Sequence, residues 1–258
     1  MILRRLKAHV EKENWFAVFI DFAIVVIGVF IGIQVANWNE ARSERIEARE
    51  YIDRVQEDLL ANQRDMRMRI DYFSSIRRHG LAALEGLSAP AETLDKQFLT
   101  SSFIASFSLR RSYQSNTFDE LLSAGAMNTM PDVNIRNRIS EYYRVANGSE
   151  YYMNRIPDFA DLVREVMPYD IQFALRSNGC RATFETDAMG TIAAVIPQDC
   201  ALDVSQDRID MAIEQLLGSN LEPELTRALA DYDLKLQVFE VWIGRAQALY
   251  DYLETAKS

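Results

Sequence analysis

The sequence predicts an all-α chain: an N-terminal transmembrane helix continuing into an elongated antiparallel helical-bundle ectodomain, with a small β-hairpin insertion. Three observations carry this expectation. Trp15–Ala36, WFAVFIDFAIVVIGVFIGIQVA, is a run of 22 residues in which Asp21 and Gln34 are the only strongly polar side chains. Long stretches beyond it repeat apolar residues at steps of three and four, the period of a helix face. Strand and turn signals gather in one interlude, at about 178–204.

As a helix, 22 residues span about 33 Å, enough for a hydrocarbon core of roughly 30 Å. Trp15 and Trp38 bracket the run as interfacial anchors. A cleaved signal peptide needs small residues at its cleavage site, and the Gln34/Ala36 pair fails that test. The reading is an uncleaved signal anchor over 15–38, with a buried core helix as the alternative. Gly28 and Gly32 form a GxxxG, a spacing that lets helix backbones approach closely. Asp21 is the oddity. An intramembrane carboxylate is by default a proton carrier or a partner for a cation on another subunit. The competing reading is that tilt and local water let it reach the interface.

After the span the helix is expected to continue through 40–85. Ile52, Val55, Leu59, Asn62, Met66, Phe73 and Ile76 line one face. Arg45, Glu47, Glu50, Asp53, Glu57, Asp58, Arg64 and Asp65 read as a solvated opposite face with no chemistry assigned. Gly86 through Pro90 closes this helix. A shorter helix is expected over Leu94–Ser108, then one capped by Asn116 or Thr117 and ending near Gly125. Met130-Pro131-Asp132 starts the next, with Ile135, Ile139, Tyr142 and Ala146 inward, a kink or break at Pro157, and a continuation to Met167-Pro168. The hairpin pairs Ala182–Glu185 with Thr191–Ile196 across Ala188-Met189-Gly190. The last helix follows Pro223 and shows Leu225, Leu229, Tyr232, Leu236, Phe239, Ile243, Ala246, Tyr250 and Leu253 in strict 4-3 alternation. The aromatic stripe of Tyr142, Tyr232, Phe239 and Tyr250 reads as core rather than a ligand cage.

Composition narrows the function classes. With 28 Lys and Arg against 38 Asp and Glu, the formal net charge is -10, which repels phosphate backbones and argues against nucleic acid. Two histidines (His9, His79) and two cysteines leave no zinc site of the usual spacing and little for His-based catalysis. No cofactor, metal ligand or catalytic residue is expected. Glycines and prolines are scattered, so no phosphate-cradling loop is present. Asn147-Gly148-Ser149 spells a glycosylation sequon, a match too short to carry weight. Beyond residue 38 the chain holds 24 basic and 35 acidic side chains, a net -11.

Basic residues on the two sides of the span tie: Arg4, Arg5, Lys7 and Lys12 before it, Arg42, Arg45, Arg49 and Arg54 after it. Cys180 and Cys200 break the tie. They flank the expected hairpin as the only cysteines, and a pair so placed suggests a disulfide formed in an oxidising compartment. Two unrelated buried thiols are the alternative. The simplest assembly is a cytoplasmic tail over 1–14 and a periplasmic bundle over 39–258.

One stretch carries a resemblance. VVIGVFIGIQVANWNEAR (Val25–Arg42), preceded by Asp21 and followed by EYIDRVQEDL (Glu50–Leu59), resembles a group of bacterial single-span membrane proteins of unknown function. In that group an acidic residue opens the span and a VIG…Q..NWNE-like exit follows. Thr117–Gly125 and the Ile139–Tyr143 ending are similar to the same group's ectodomain. The resemblance implies a bacterial inner-membrane protein with an extracytoplasmic helical domain, and brings no ligand or catalytic residue.

The leading functional expectation is therefore a non-enzymatic, membrane-anchored interaction or accessory subunit. Its partners would be membrane lipid and either further copies of itself or other inner-membrane proteins. Two rivals are a sensor-like ectodomain, which ends at Ser258 without a second span and so needs a partner to signal, and a proton-coupled stator-like subunit using Asp21. An enzyme is disfavoured because no carboxylate is paired at a defined spacing with a base or nucleophile.

Overall fold

A computed structural model describes residues 15–128, 130, 132–186 and 192–256. The expected tail over 1–14, His9, the Pro131 helix start and the Ala188-Met189-Gly190 turn lie outside the described residues. The fold is all-α with one small hairpin, as the sequence predicts.

Helix α1 (Trp15–Leu87) runs without interruption for 73 residues, about 110 Å. Its two parts differ in surroundings. Phe16 and, from Phe19 to Val35, the large apolar side chains stand exposed, and the most apolar 18 residues, none of them buried, average a hydropathy of 2.4. This part is long and apolar enough to cross a membrane. From Ala48 onward the helix buries a continuous stripe, Ala48, Ile52, Val55, Leu59, Asn62, Met66, Arg69, Phe73, Ile76, Gly80 and Ala83, with residues such as Asp58, Tyr72 and His79 buried beside it. Those steps are a heptad seam.

The seam meets helix α8 (Leu221–Ala256), which runs antiparallel to α1 and is its largest contact. Gln56 Nε2 donates to the Tyr250 carbonyl at 3.1 Å near one end, and Arg77 pairs with Asp233 further along. Near the far end Gly80 faces Leu225 and Leu229. The buried stripe of α8 is Leu221, Leu225, Ala228, Tyr232, Lys235, Phe239, Trp242, Ala246, Leu249 and Leu253. Leu229 is buried beside it, whereas Leu236, Ile243 and Tyr250 are only half-buried. The expected register is thus corrected at every second position. Lys235 and Trp242 point inward, and Leu236 and Ile243 sit on the shoulder.

Shorter helices close the body. Helix α2 (Lys96–Ala105) is shorter than the expected 94–108, capped by Asp95, whose carboxylate accepts from the Gln97 amide at 2.8 Å. Eight of its ten residues are buried against the end of α1. Helix α3 (Asn116–Ser123) takes Ser115, rather than Asn116 or Thr117, as its N-cap residue. Gly125 then adopts φ +69°, which an L side chain tolerates poorly. Helix α4 (Val133–Met153) is capped by Asp132, buries the expected Ile135, Ile139, Tyr142 and Ala146, and packs on α8. The sequon at Asn147 lies inside this helix.

The chain breaks before Pro157 as expected, then forms α5 (Asp158–Val166) and α6 (Tyr169–Ser177). The hairpin pairs β1 (Thr183–Thr186) with β2 (Ile192–Val195) in antiparallel register, Thr183 opposite Val195. Helix α7 (Gln206–Leu217) leads into α8. Helices α6 and α7 were not anticipated by the sequence reading.

The helix closes within 86–90 as expected, but Gly86 lies inside its last turn and serves packing rather than termination. A Cβ there would sit 2.7 Å from Phe98 Cδ2 and 3.3 Å from Cε2, so α2 approaches α1 only because the side chain is absent. Gly86→Ala gains helix propensity of up to about 1 kcal/mol but crowds a buried ring at about 1–3 kcal/mol. A net loss of about 1 kcal/mol in urea unfolding is expected.

Candidate functional site

In the apolar part of α1 the singled-out residues sort by angle. At 100° per residue, Asp21, Gly28 and Gly32 fall within about 40° of one another around the axis. They form one line with Val25, Val35 and Asn39 at 4-3 steps. Asp21 lies about 10 Å along the axis from Gly28. Gln34 falls roughly 140° away from Asp21, so it does not belong to this line. Asp21 and Gln34 are both exposed, and nothing lies within 4 Å of a Cβ built on either glycine. The stripe therefore joins a carboxylate to a groove of missing side chains on one open face. Trp15 opens the helix. Trp38 is exposed, with the Arg42 guanidinium 5.9 Å from its ring centroid.

A second polar line, on the buried part of α1, escaped the sequence reading. Asp58 and Asp65, counted among the solvated charges, instead hold the irregular segment 107–115 and the start of α3. An Asp58 oxygen accepts from the Thr117 amide at 3.0 Å, a cap supplied across the fold to α3. Asn62 clamps Gln114 twice, donating to its carbonyl at 2.9 Å and accepting from its amide at 2.7 Å. Arg69, 2% exposed, donates to Asp65 at 2.6 Å and to the Ser112 carbonyl at 3.3 Å, while Arg111 also pairs with Asp65. From α4, Glu150 accepts from the Tyr113 amide at 2.6 Å and Asn154 from the Arg111 amide at 3.0 Å. A segment with no partner strand thus finds its hydrogen bonds in side chains. The 58, 62, 65, 69 spacing is the signal that could have revealed it.

Lys235 occupies a seam position of α8 with 5% exposure. Its ammonium donates to the Arg155 carbonyl at 2.8 Å and sits 4.8 Å from the Phe73 ring centroid. Burial lowers its pKa to about 8; nearby Arg155 pushes the same way and Asp231 opposes. In the unfolded chain Lys holds its proton to about pH 10.4. Between these values the unfolded state binds more protons, so stability rises with pH. Above about pH 9.5 the tyrosines take over. Burial raises Tyr72, Tyr142, Tyr143 and Tyr232, the unfolded chain then loses protons the fold keeps, and stability falls. Urea unfolding is expected to gain about 1 kcal/mol from about pH 7.5 to about pH 9, before the tyrosines ionise in the unfolded chain, and Lys235→Met is expected to flatten that rise.

Cys180 and Cys200 form a disulfide with Cα atoms 5.5 Å apart, both sulfurs lying in the core. Cys180 follows a Schellman turn ending α6: Gly179 takes φ +92°, and the Cys180 amide donates to the Leu175 carbonyl at 2.9 Å. The hairpin docks on α1. Phe184 stacks on Tyr72 at 6.4 Å, and His79 Nε2 lies 3.1 Å from the Pro197 carbonyl. Burial holds His79 below its ordinary pKa. Among the described residues no three His, Cys, Asp or Glu side chains gather in a way that could hold a metal ion. Comparisons with protein-family models, with curated proteins and with solved structures each gave no match.

Proposed function

We propose that this chain is a non-enzymatic, membrane-anchored interaction or accessory subunit of a bacterial inner-membrane assembly. In this reading Trp15–Trp38 spans the bilayer, residues 1–14 lie in the cytoplasm and 39–258 form a periplasmic body. One observation carries it: Asp21, Gly28 and Gly32 share an open face of a helix whose other half buries a stripe in a packed core. A bilayer satisfies the apolar side chains of the span but not a carboxylate, which asks for a cation, a polar group or water on a neighbouring helix. The glycines bring such a neighbour close. The partner helix comes from a second copy or from another inner-membrane protein.

The test is purification in mild detergent with companions identified by mass spectrometry. A stable homo-oligomer or a reproducible companion is expected. Gly28→Ile with Gly32→Ile should dissolve the assembly while leaving the unfolding of the body unchanged, because no protein atom approaches either glycine in the single chain. A clean monomer with no companions overturns the proposal. An Asp21→Asn change that leaves both the assembly and its cellular phenotype intact removes the proton-carrying role from Asp21. Thiol labelling with and without reductant tests the compartment, since reactive free thiols in cells contradict the periplasmic placement.

A further inference from the structure

Between α4 and α8 a cleft of about 290 Å³ opens, at the small end of the range for ligand pockets. Tyr142 and Trp242, both buried, line it with rings crossing edge to face at 5.5 Å, and Leu249 extends the apolar lining. Arg138 and Glu141 line it from α4, and Arg245 lines it from α8. Each guanidinium lies over a ring. Arg138 lies 4.1 Å from the Tyr252 centroid and Arg245 lies 5.1 Å from that of Trp242. Stacking engages the flat face of a guanidinium and leaves the N–H edge available for a carboxylate fork.

We propose that this cleft binds a small zwitterion with an apolar body, of the size and kind of a free amino acid. The charges select the class. A simple anion would meet two guanidiniums but also the Glu141 carboxylate, and a simple cation would meet Glu141 against two positive charges. A neutral apolar molecule would use none of the three. A molecule with both charges pairs its carboxylate with Arg138 and Arg245 and its ammonium with Glu141, and lays its side chain on Tyr142, Trp242 and Leu249. The site is separate from the stripe on the apolar segment, so either proposal can fail alone.

The test is calorimetric titration of the full chain in detergent with L-phenylalanine and L-leucine. Each is compared with its methyl ester, which lacks the carboxylate, and its N-acetyl form, which lacks the ammonium. Saturable binding of at least one amino acid is expected, weakened about tenfold or more in both derivatives, the loss of one charge-assisted contact. Arg138→Gln with Arg245→Gln should weaken the free amino acid by a similar factor. Glu141→Gln should bring the N-acetyl form level with or above the free amino acid, a reversal that a merely structural residue does not produce. All three substituted side chains are exposed, so the fold should tolerate the changes. Failure of both amino acids to bind, undiminished binding of either derivative, or indifference to the double arginine change overturns the proposal. The derivative comparison on the unaltered protein stands even if a variant fails to fold.

Discussion

Arg69→Ala is expected to lower the unfolding free energy by about 3 kcal/mol or more, the usual consequence of removing one partner from a buried ion pair. Arg69 sits on the α1 seam opposite α8, its guanidinium 5.7 Å from the Phe239 ring centroid and 5.4 Å from that of Tyr113. Truncation opens a cavity in the seam, strips the Ser112 carbonyl of its donor and leaves Asp65 with Arg111 alone. The damage should be local as well as global. In hydrogen exchange the amides of 111–114 are expected to lose protection before those of α8. Replacing the pair by Asp65→Leu with Arg69→Met should cost less than Arg69→Ala, because the bulk is kept and no carboxylate is left with only half its partners. Equal destabilisation by the single and double changes would falsify the claim that the pair acts as a unit.

Breaking the disulfide is expected to cost about 3 kcal/mol, the loop-closure estimate for a link spanning some twenty residues. Reductant and the double change Cys180→Ser with Cys200→Ser should agree within error. The hairpin depends on this link. Both of its strands are short, β1 is exposed along its length and β2 is at most half-buried, so it is held by contacts such as Phe184 on Tyr72 and His79 on Pro197 and by the bond that closes its base. Release of the bond should therefore loosen 180–200 first, read as proteolytic cleavage there while α1 and α8 stay intact. An unfolding midpoint unmoved by reductant would show that the link contributes nothing to the stability of the fold. Acid should add to the effect. The neutral His79 of the folded state must compete with a protonated one in the unfolded chain, so stability declines as pH falls below about 6.5.

The long elements were legible because each buries a stripe at a fixed period, and the stripe survives local ambiguity. Its register did not survive on α8. At 235/236 and 242/243 two neighbouring residues each keep the 4-3 rhythm, and hydrophobicity favours Leu236 over Lys235. The fold chooses Lys235 because its long stem fills the seam and its head reaches a carbonyl and a ring, a solution that composition cannot express. Asp58 and Asp65 were misplaced for the mirror-image reason. Carboxylates near a helix flank look solvated until a chain segment with unpaired amides is folded over them. Helices α6 and α7, at 9 and 12 residues, bury too few side chains to stand out from their neighbours. The grouping of Asp21, Gly28 and Gly32 needed only a helix wheel, but its open face became visible once the body's own packing was known.

The unbroken course of α1 has a mechanical consequence. Between Gly32 and Gly80 the helix contains no proline or glycine, the residues at which helices most often bend. The nine residues 39–47 that join its two halves touch the body little, and stand it off by about 14 Å. The chain thus has the construction of a drive shaft. A turn or tilt imposed on the stripe at one end is delivered to the α1–α8 seam at the other, with no joint in between to absorb it.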